Sequence, residues 1–151
     1  MSYDSAQAVI RHLQLAPHPE GGYFRRTHAA DAGAFSCIYY LLTAETPRSR
    51  LHRNDASIIH LHHAGGSLDY LLLPPAAPAQ RVTLGAPAAG EGGQLVVPGG
   101  TWKCCHLQQG AFALISEVVV PAFEWARHRF AQRQDVAADW PAEWPALEGF
   151  L

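Results

Sequence analysis

Four of the chain's nine histidines fall within twelve residues, at His52, His60, His62 and His63. Imidazole titrates near neutral pH and also ligates metals, so such a cluster points to acid/base chemistry or to an ion site. If Ser57–His63 is a strand, Ile58, His60 and His62 share one face, and Ile59, Leu61 and His63 share the other. Lys103 is the single lysine beside ten arginines. Its ammonium can hold a carboxylate or phosphate, or act as a desolvated amine. The block "HPEGGYFRR" brings Glu20, Arg25 and Arg26 next to two glycines that permit a tight turn and close backbone approach. There Glu20 either pairs with an arginine or reaches a pocket mouth, and Arg25 is assigned to ligand binding. In "CIYYLLT" the two tyrosines alternate, so one faces inward in either register; Tyr39 is assigned as an acid/base partner for His52. Trp102 is expected to wall the pocket. Cys104, Cys105 and His106 occupy consecutive strand positions that diverge, which makes them structural.

These residues must be positioned by strands. Asp4 or Ser5 can cap a helix with Ala6, Val9, Ile10 and Leu13 at helical spacing, and "LAPHPEGG" stops it. Eight short β-rich runs follow, from "GYFRRTH" to "FALISEVVV", separated by Gly, Pro and Asp, as in a sandwich or barrel. The stretches "PPAAPA" and "APAAGEGG" read as hairpin loops. After Pro121, "AFEWARHRFAQRQ" has helical or mixed character, and the aromatic tail "DWPAEWPALEGFL" is expected to pack on the outside of the barrel.

A length of 151 residues suits one domain, expected to run over 1–151. With 48% apolar and 16% charged residues and a net charge of -2, the chain lacks the basic footprint of a nucleic-acid or lipid-surface binder. Three cysteines without ligand spacing suggest neither a disulfide framework nor a zinc site, and fit a reducing cytoplasm. No leader or membrane span is expected.

Reading forward from His52, the spacing to Asn54, Ile58 and Gly65 resembles the first motif of the cupin superfamily. Gly92, Pro98, Gly100 and Lys103 resemble the second. "PHPEGGYFRRT", "CIYYLLT", "HR", "VVPGGTW" and "VVVPAFEWARHRF" are similar, in order, to the signatures of one small single-domain cupin family of unassigned function. The resemblance implies an all-β jelly-roll barrel with a short N-terminal helix and a helical, aromatic C-terminal tail. It also implies a homodimer and a pocket for a small molecule inside the barrel mouth. Superimposing the cupin spacing turns His52, Asn54, His60, His62 and Lys103 toward that pocket.

Cupin metal sites use His, His, Glu and His where this chain has His52, Asn54, Ile58 and Lys103, so no metal cofactor is expected. A divalent transition metal on His52, His60 and His62 is the alternative. The family usually has an acidic pair, isoleucine and Trp-His where this chain reads "SIIHLHH". The leading functional expectation is a metal-free isomerase or epimerase acting on a small sugar-like or anionic substrate, as similar barrels do with a histidine base and a tyrosine acid. His52 would be the base and Lys103 would hold an anionic group. A non-catalytic ligand-binding barrel and a metal-dependent enzyme are the alternatives.

Overall fold

The computed structural model describes residues 5–151. Ser5 caps helix α1 (Ala6–Leu13), its hydroxyl accepting from Ala8 N at 3.2 Å. The alternative cap, Asp4, lies outside the described residues. Eleven strands follow: β1 (Ala16–Pro17), β2 (Tyr23–Ala29), β3 (Ser36–Thr43), β4 (His52–Asn54), β5 (Ser57–Gly65), β6 (Leu68–Leu73), β7 (Gln80–Leu84), β8 (Gln94–Val97), β9 (Trp102–Leu107), β10 (Phe112–Val120) and β11 (His128–Phe130). Eight of them are the runs expected from sequence. The other three, β1, β4 and β11, are two or three residues long, too short for alternation to announce them.

The strands form two antiparallel sheets, in the orders β1-β2-β3-β10-β5-β8 and β11-β4-β9-β6-β7. The pleat divides each strand between two environments. Tyr40 and Leu42 of β3 and Ala113 and Ile115 of β10 turn into the inter-sheet core, where they meet Leu68, Tyr70, Leu72 and Cys105. Leu41 and Leu114, one residue along, turn outward and are covered by Val9 of α1. On β9, Trp102 and Cys104 face outward while Cys105 faces in, so the Cys-Cys-His run diverges as expected.

The stretch after Pro121 is mixed: a 3₁₀ turn at Trp125–Arg127, then β11, then helix α2 (Arg133–Val136). Helix α3 (Trp144–Leu147) follows. Val136, Trp140, Trp144, Leu147 and Phe150 pack over Leu51, Leu71, Leu73 and Trp102 on the outer face of the five-stranded sheet. The "PPAAPA" and "APAAGEGG" stretches connect β6 to β7 and β7 to β8 as loops. Leu147 is fully buried. Leu147→Ala should therefore cost about 2–5 kcal/mol in chemical denaturation, the range for emptying a buried leucine site; an unchanged midpoint would mean that the tail does not stay docked.

Candidate functional site

The site begins at the two glycines. Gly21 (φ +99°) and Gly22 (φ +70°) both adopt left-handed backbone. A Cβ on Gly21 would stand 2.5 Å from the Arg48 carbonyl, and one on Gly22 would collide with the Leu41 carbonyl. Only residues without a side chain let this turn lie against the barrel, and it carries Glu20 inward to 7% exposure. Tyr40 locks the turn by donating to Gly21 O at 2.8 Å. Glu20 N donates to His18 Nδ1 at 3.0 Å, and Arg50 N donates to Glu20 O at 2.6 Å.

The Glu20 carboxylate is shared by two stacked imidazoles. His128 Nε2 lies 2.7 Å from Oε1, and His52 Nε2 lies 3.4 Å from Oε2. The rings of His52 and His128 stack with centroids 5.2 Å apart at 19°. They are delivered by the paired strands β4 and β11, in which Asn54 faces His128 and His52 faces Phe130. His52 Nδ1 is 2.7 Å from the Arg50 carbonyl, which can only accept, so that nitrogen carries the proton and Nε2 turns a lone pair toward the carboxylate. Burial pushes the His52 pKa down to about 4 against the pull of Glu20. For Glu20 burial acts in the other direction, but His52, the His128 hydrogen bond and His18 outweigh it and hold the carboxyl at about 2.

Beneath this group lies a second one that joins the sheets. Lys103 on β9 is 3% exposed, and its Nζ stands 3.0 Å from His60 Nε2 on β5. An ammonium only donates, so His60 Nε2 accepts and Nδ1 bears the proton, facing Glu117 Oε1 at 3.3 Å. The Tyr70 hydroxyl is also 3.3 Å from that nitrogen. Burial and Lys103 both lower the His60 pKa. Burial would raise Glu117, but Lys103 and His60 prevail and hold it well below the usual carboxylate range.

A cavity of about 340 Å³ opens above these groups. Its polar surface comes from Glu20, His52, Glu117, His18, His128 and Asn54; Phe24, Ile38, Ile58, Val119, Phe123 and Trp125 supply apolar walls, and the exposed Arg26 borders it. Asn54 Oδ1 accepts from Ala56 N at 2.9 Å, whereas its Nδ2 has no partner. Glu20, His52 and Glu117 also line a void of about 10 Å³ beside Lys103 and His60, about one water in size.

Of the residues expected to share one pocket, His52 and Asn54 line the cavity together with Glu20, while His60 and Lys103 line only the void below. His62 lies apart: it shares the His60 face but stands two residues further along β5, where its Nε2 meets Gly66 O at 3.0 Å. Three expectations miss by one residue of strand parity. Arg25 turns outward to Gln14 Oε1 (3.2 Å), and Arg26 borders the cavity instead. Tyr39 faces the α1 side and His63, and the inward Tyr40 is committed to the turn, with burial raising its hydroxyl well above the usual value. Trp102 lies under the tail, with the Arg53 guanidinium 5.0 Å from its ring, rather than walling the pocket. His18, Glu117 and His128 went unnoticed in the sequence. The signal for His128 was a polar imidazole between Trp125 and Phe130 in a segment of helical or mixed character.

The standard cupin metal positions do not fit an ion. Asn54 spends its oxygen on Ala56 N, Ile58 has no donor atom, and Lys103 brings a positive charge. The alternative set His52, His60 and His62 does not converge, because His60 Nε2 is taken by Lys103 and His62 by Gly66. A different trio, Glu20, His52 and His128, does bring one ligand atom each within 4.8 Å of the others.

Two antiparallel sheets closed around an inward site of this kind define a cupin barrel. The chain belongs to the family described as Cupin superfamily (DUF985), whose model matches residues 7–131. It is 34% identical to the uncharacterized protein YML079W of Saccharomyces cerevisiae, over 87% of this chain and 77% of that protein. Among solved structures it resembles protein SO0799 of Shewanella oneidensis (TM-score 0.89, 27% identity, 98% of both chains). It also resembles a hypothetical protein from Leishmania major (TM-score 0.84, 27% identity, 97% and 98% of the chains). Oxalate decarboxylase of Bacillus subtilis shares the fold at 14% identity and a TM-score of 0.60, this chain spanning 37% of its length.

The pKa directions fix how stability responds to acid. His52 has a folded pKa near 4 against 6.5 unfolded, so the folded state binds fewer protons between those values and loses stability as pH falls through that window. Glu20, at about 2 against 4.5, adds a further loss between those values. Denaturant titrations at pH 7 and pH 4.5 should differ by about 3 kcal/mol, at 1.36 kcal/mol per unit. His52→Gln should flatten the upper part of that dependence; a profile level from pH 7 to 4 would show that His52 is not buried neutral.

Proposed function

We propose that this cupin takes a small polar organic molecule bearing an anionic group into its cavity and moves a proton on it, as an isomerase or epimerase does. The observation that carries this reading is the Glu20 carboxylate held between His52 and His128 on the floor of the 340 Å³ cavity. His52 is the base: its Nδ1 is anchored to the Arg50 carbonyl, which leaves Nε2 bare. His128, hydrogen-bonded to Glu20, is the donor that returns the proton. The apolar walls exclude water, and Arg26 with the unpartnered Asn54 amide holds the anionic group. Lys103, set below the cavity, acts on the site through His60 and Glu117.

The proposal includes a homodimer, in which the edge strand β8 with its exposed Val96 is covered. Among the described residues no helix is long and apolar enough to cross a membrane.

The test is a panel of small hydroxy acids and sugar phosphates, followed by thermal shift and by NMR detection of C–H to C–D exchange in D₂O. A substrate should raise the melting temperature and exchange its proton. His52→Ala should slow exchange by about 10²–10⁴-fold, the usual span of general-base catalysis, and Arg26→Met should weaken binding by about tenfold. Ligands that bind without exchange would leave a non-catalytic binding barrel. The spacing of Glu20, His52 and His128 favours a second reading, in which these three hold a divalent metal that polarises a bound oxygen. Under the first reading, untagged protein carries well under one transition metal per chain, and chelator leaves its melting temperature unchanged. Stoichiometric metal lost on His128→Ala would establish the second.

A further inference from the structure

The polar groups of the 340 Å³ cavity are largely spoken for within the protein. Glu20 is engaged by His128 and His52, and Glu117 by His60. His18 Nδ1 accepts from Glu20 N, and His52 Nδ1 meets the Arg50 carbonyl. The remaining wall is hydrocarbon and ring, from Phe24, Ile38, Ile58, Val119, Phe123 and Trp125. Within it Trp125 stands out. It opens the 3₁₀ turn Trp125–Arg127 and is 54% exposed, whereas Trp102 is buried and Trp140 and Trp144 pack under the tail. Its ring meets Phe123 edge to face (centroids 4.9 Å, 87°) and His128 likewise (5.1 Å, 73°), so two aromatic neighbours hold it at the cavity without covering it. The Arg26 guanidinium lies 6.0 Å from the Phe123 ring, which sets the cation that borders the cavity beside this aromatic wall.

We propose that the body of the molecule this cavity takes is an aromatic ring, and that Trp125 and Phe123 select such an aryl-substituted acid against polyhydroxylated acids of similar size. The proposal rests on the reading that the cavity takes a small anionic molecule, and adds its class. A ring can set its face or edge against Phe24, Phe123 and Trp125 in the geometries that aromatic pairs favour. A polyol would instead bring several hydroxyls against side chains that cannot pair them, and each hydroxyl left so loses about tenfold in affinity. Arg26 and the unpartnered Asn54 amide can serve one anionic group, but not a row of hydroxyls. Trp125 is then a specificity residue that touches the body of the ligand and takes no part in moving a proton.

Calorimetry with three 2-hydroxy acids, 3-phenyllactate, lactate and gluconate, tests this by binding alone. In the wild type 3-phenyllactate should bind more tightly than either of the others by about tenfold or more. Trp125→Ala, a change at an exposed position, should weaken 3-phenyllactate by about tenfold and leave lactate unchanged. The proposal is overturned if lactate or gluconate binds as tightly as 3-phenyllactate, if 3-phenyllactate does not bind, or if folded Trp125→Ala keeps the wild-type preference. Its failure and that of the proton-transfer reading are separable. Trp125-dependent binding of 3-phenyllactate without exchange of its C2 proton in D₂O supports the proposal and ends proton transfer. Equally tight, Trp125-dependent binding of uncharged 3-phenyl-1,2-propanediol supports the aromatic body and removes the anionic group from that reading.

Discussion

Two carboxylates, Glu20 and Glu117, are buried inside one small barrel, and the surrounding structure is arranged to keep them charged there. An isolated ionised carboxylate in an apolar interior is too costly to persist. Each is therefore met from separate strands: Glu20 accepts from His128 with His52 close beside it, and Glu117 faces His60, itself backed by Lys103. These partners come from β4, β5, β9 and β11, so satisfying the two acids pins the sheets to one another. The glycine turn that brings Glu20 inward belongs to the same arrangement, since without that close approach the carboxylate would have no route to the interior.

The family's usual acidic pair is absent from the start of β5, where Ser57 and Ile58 stand. The carboxylates buried in this floor are Glu117 on β10, directly opposite His60, and Glu20 on the turn before β2. The similar proteins of Shewanella and Leishmania retain the fold at 27% identity.

The fold was legible because turn residues punctuate the long strands and the motif blocks fall in order. Parity was less legible. Arg25 against Arg26, Tyr39 against Tyr40 and Trp102 against Lys103 are neighbours of equal chemical promise, and which one turns inward depends on the sheet that covers each face. The outer faces of β3 and β10 are covered by α1 and those of β6 and β9 by the tail, so on these strands the hydrophobic alternation that would mark the inner face is blurred. His60 was found because it sits in a long regular strand. His128 was not, because the three residues of β11 earn their strand conformation only by pairing with β4. His18 and Glu117 were missed for a related reason: one stands in a turn whose shape is set by distant backbone, the other in an otherwise apolar strand.

The pairing of β4 with β11 also governs when the site can exist. Residues 18–20, 52 and 128 converge on one point, and the tail that follows His128 is fastened to the strand carrying His52 through Leu51, whose amide donates to Phe150 O at 2.6 Å. These pieces lie far apart in the chain, so the Glu20, His52 and His128 side chains can meet only after β11 has paired with β4. The candidate site is therefore a product of long-range pairing, and whatever loosens the β4–β11 contact takes the carboxylate and both imidazoles apart together.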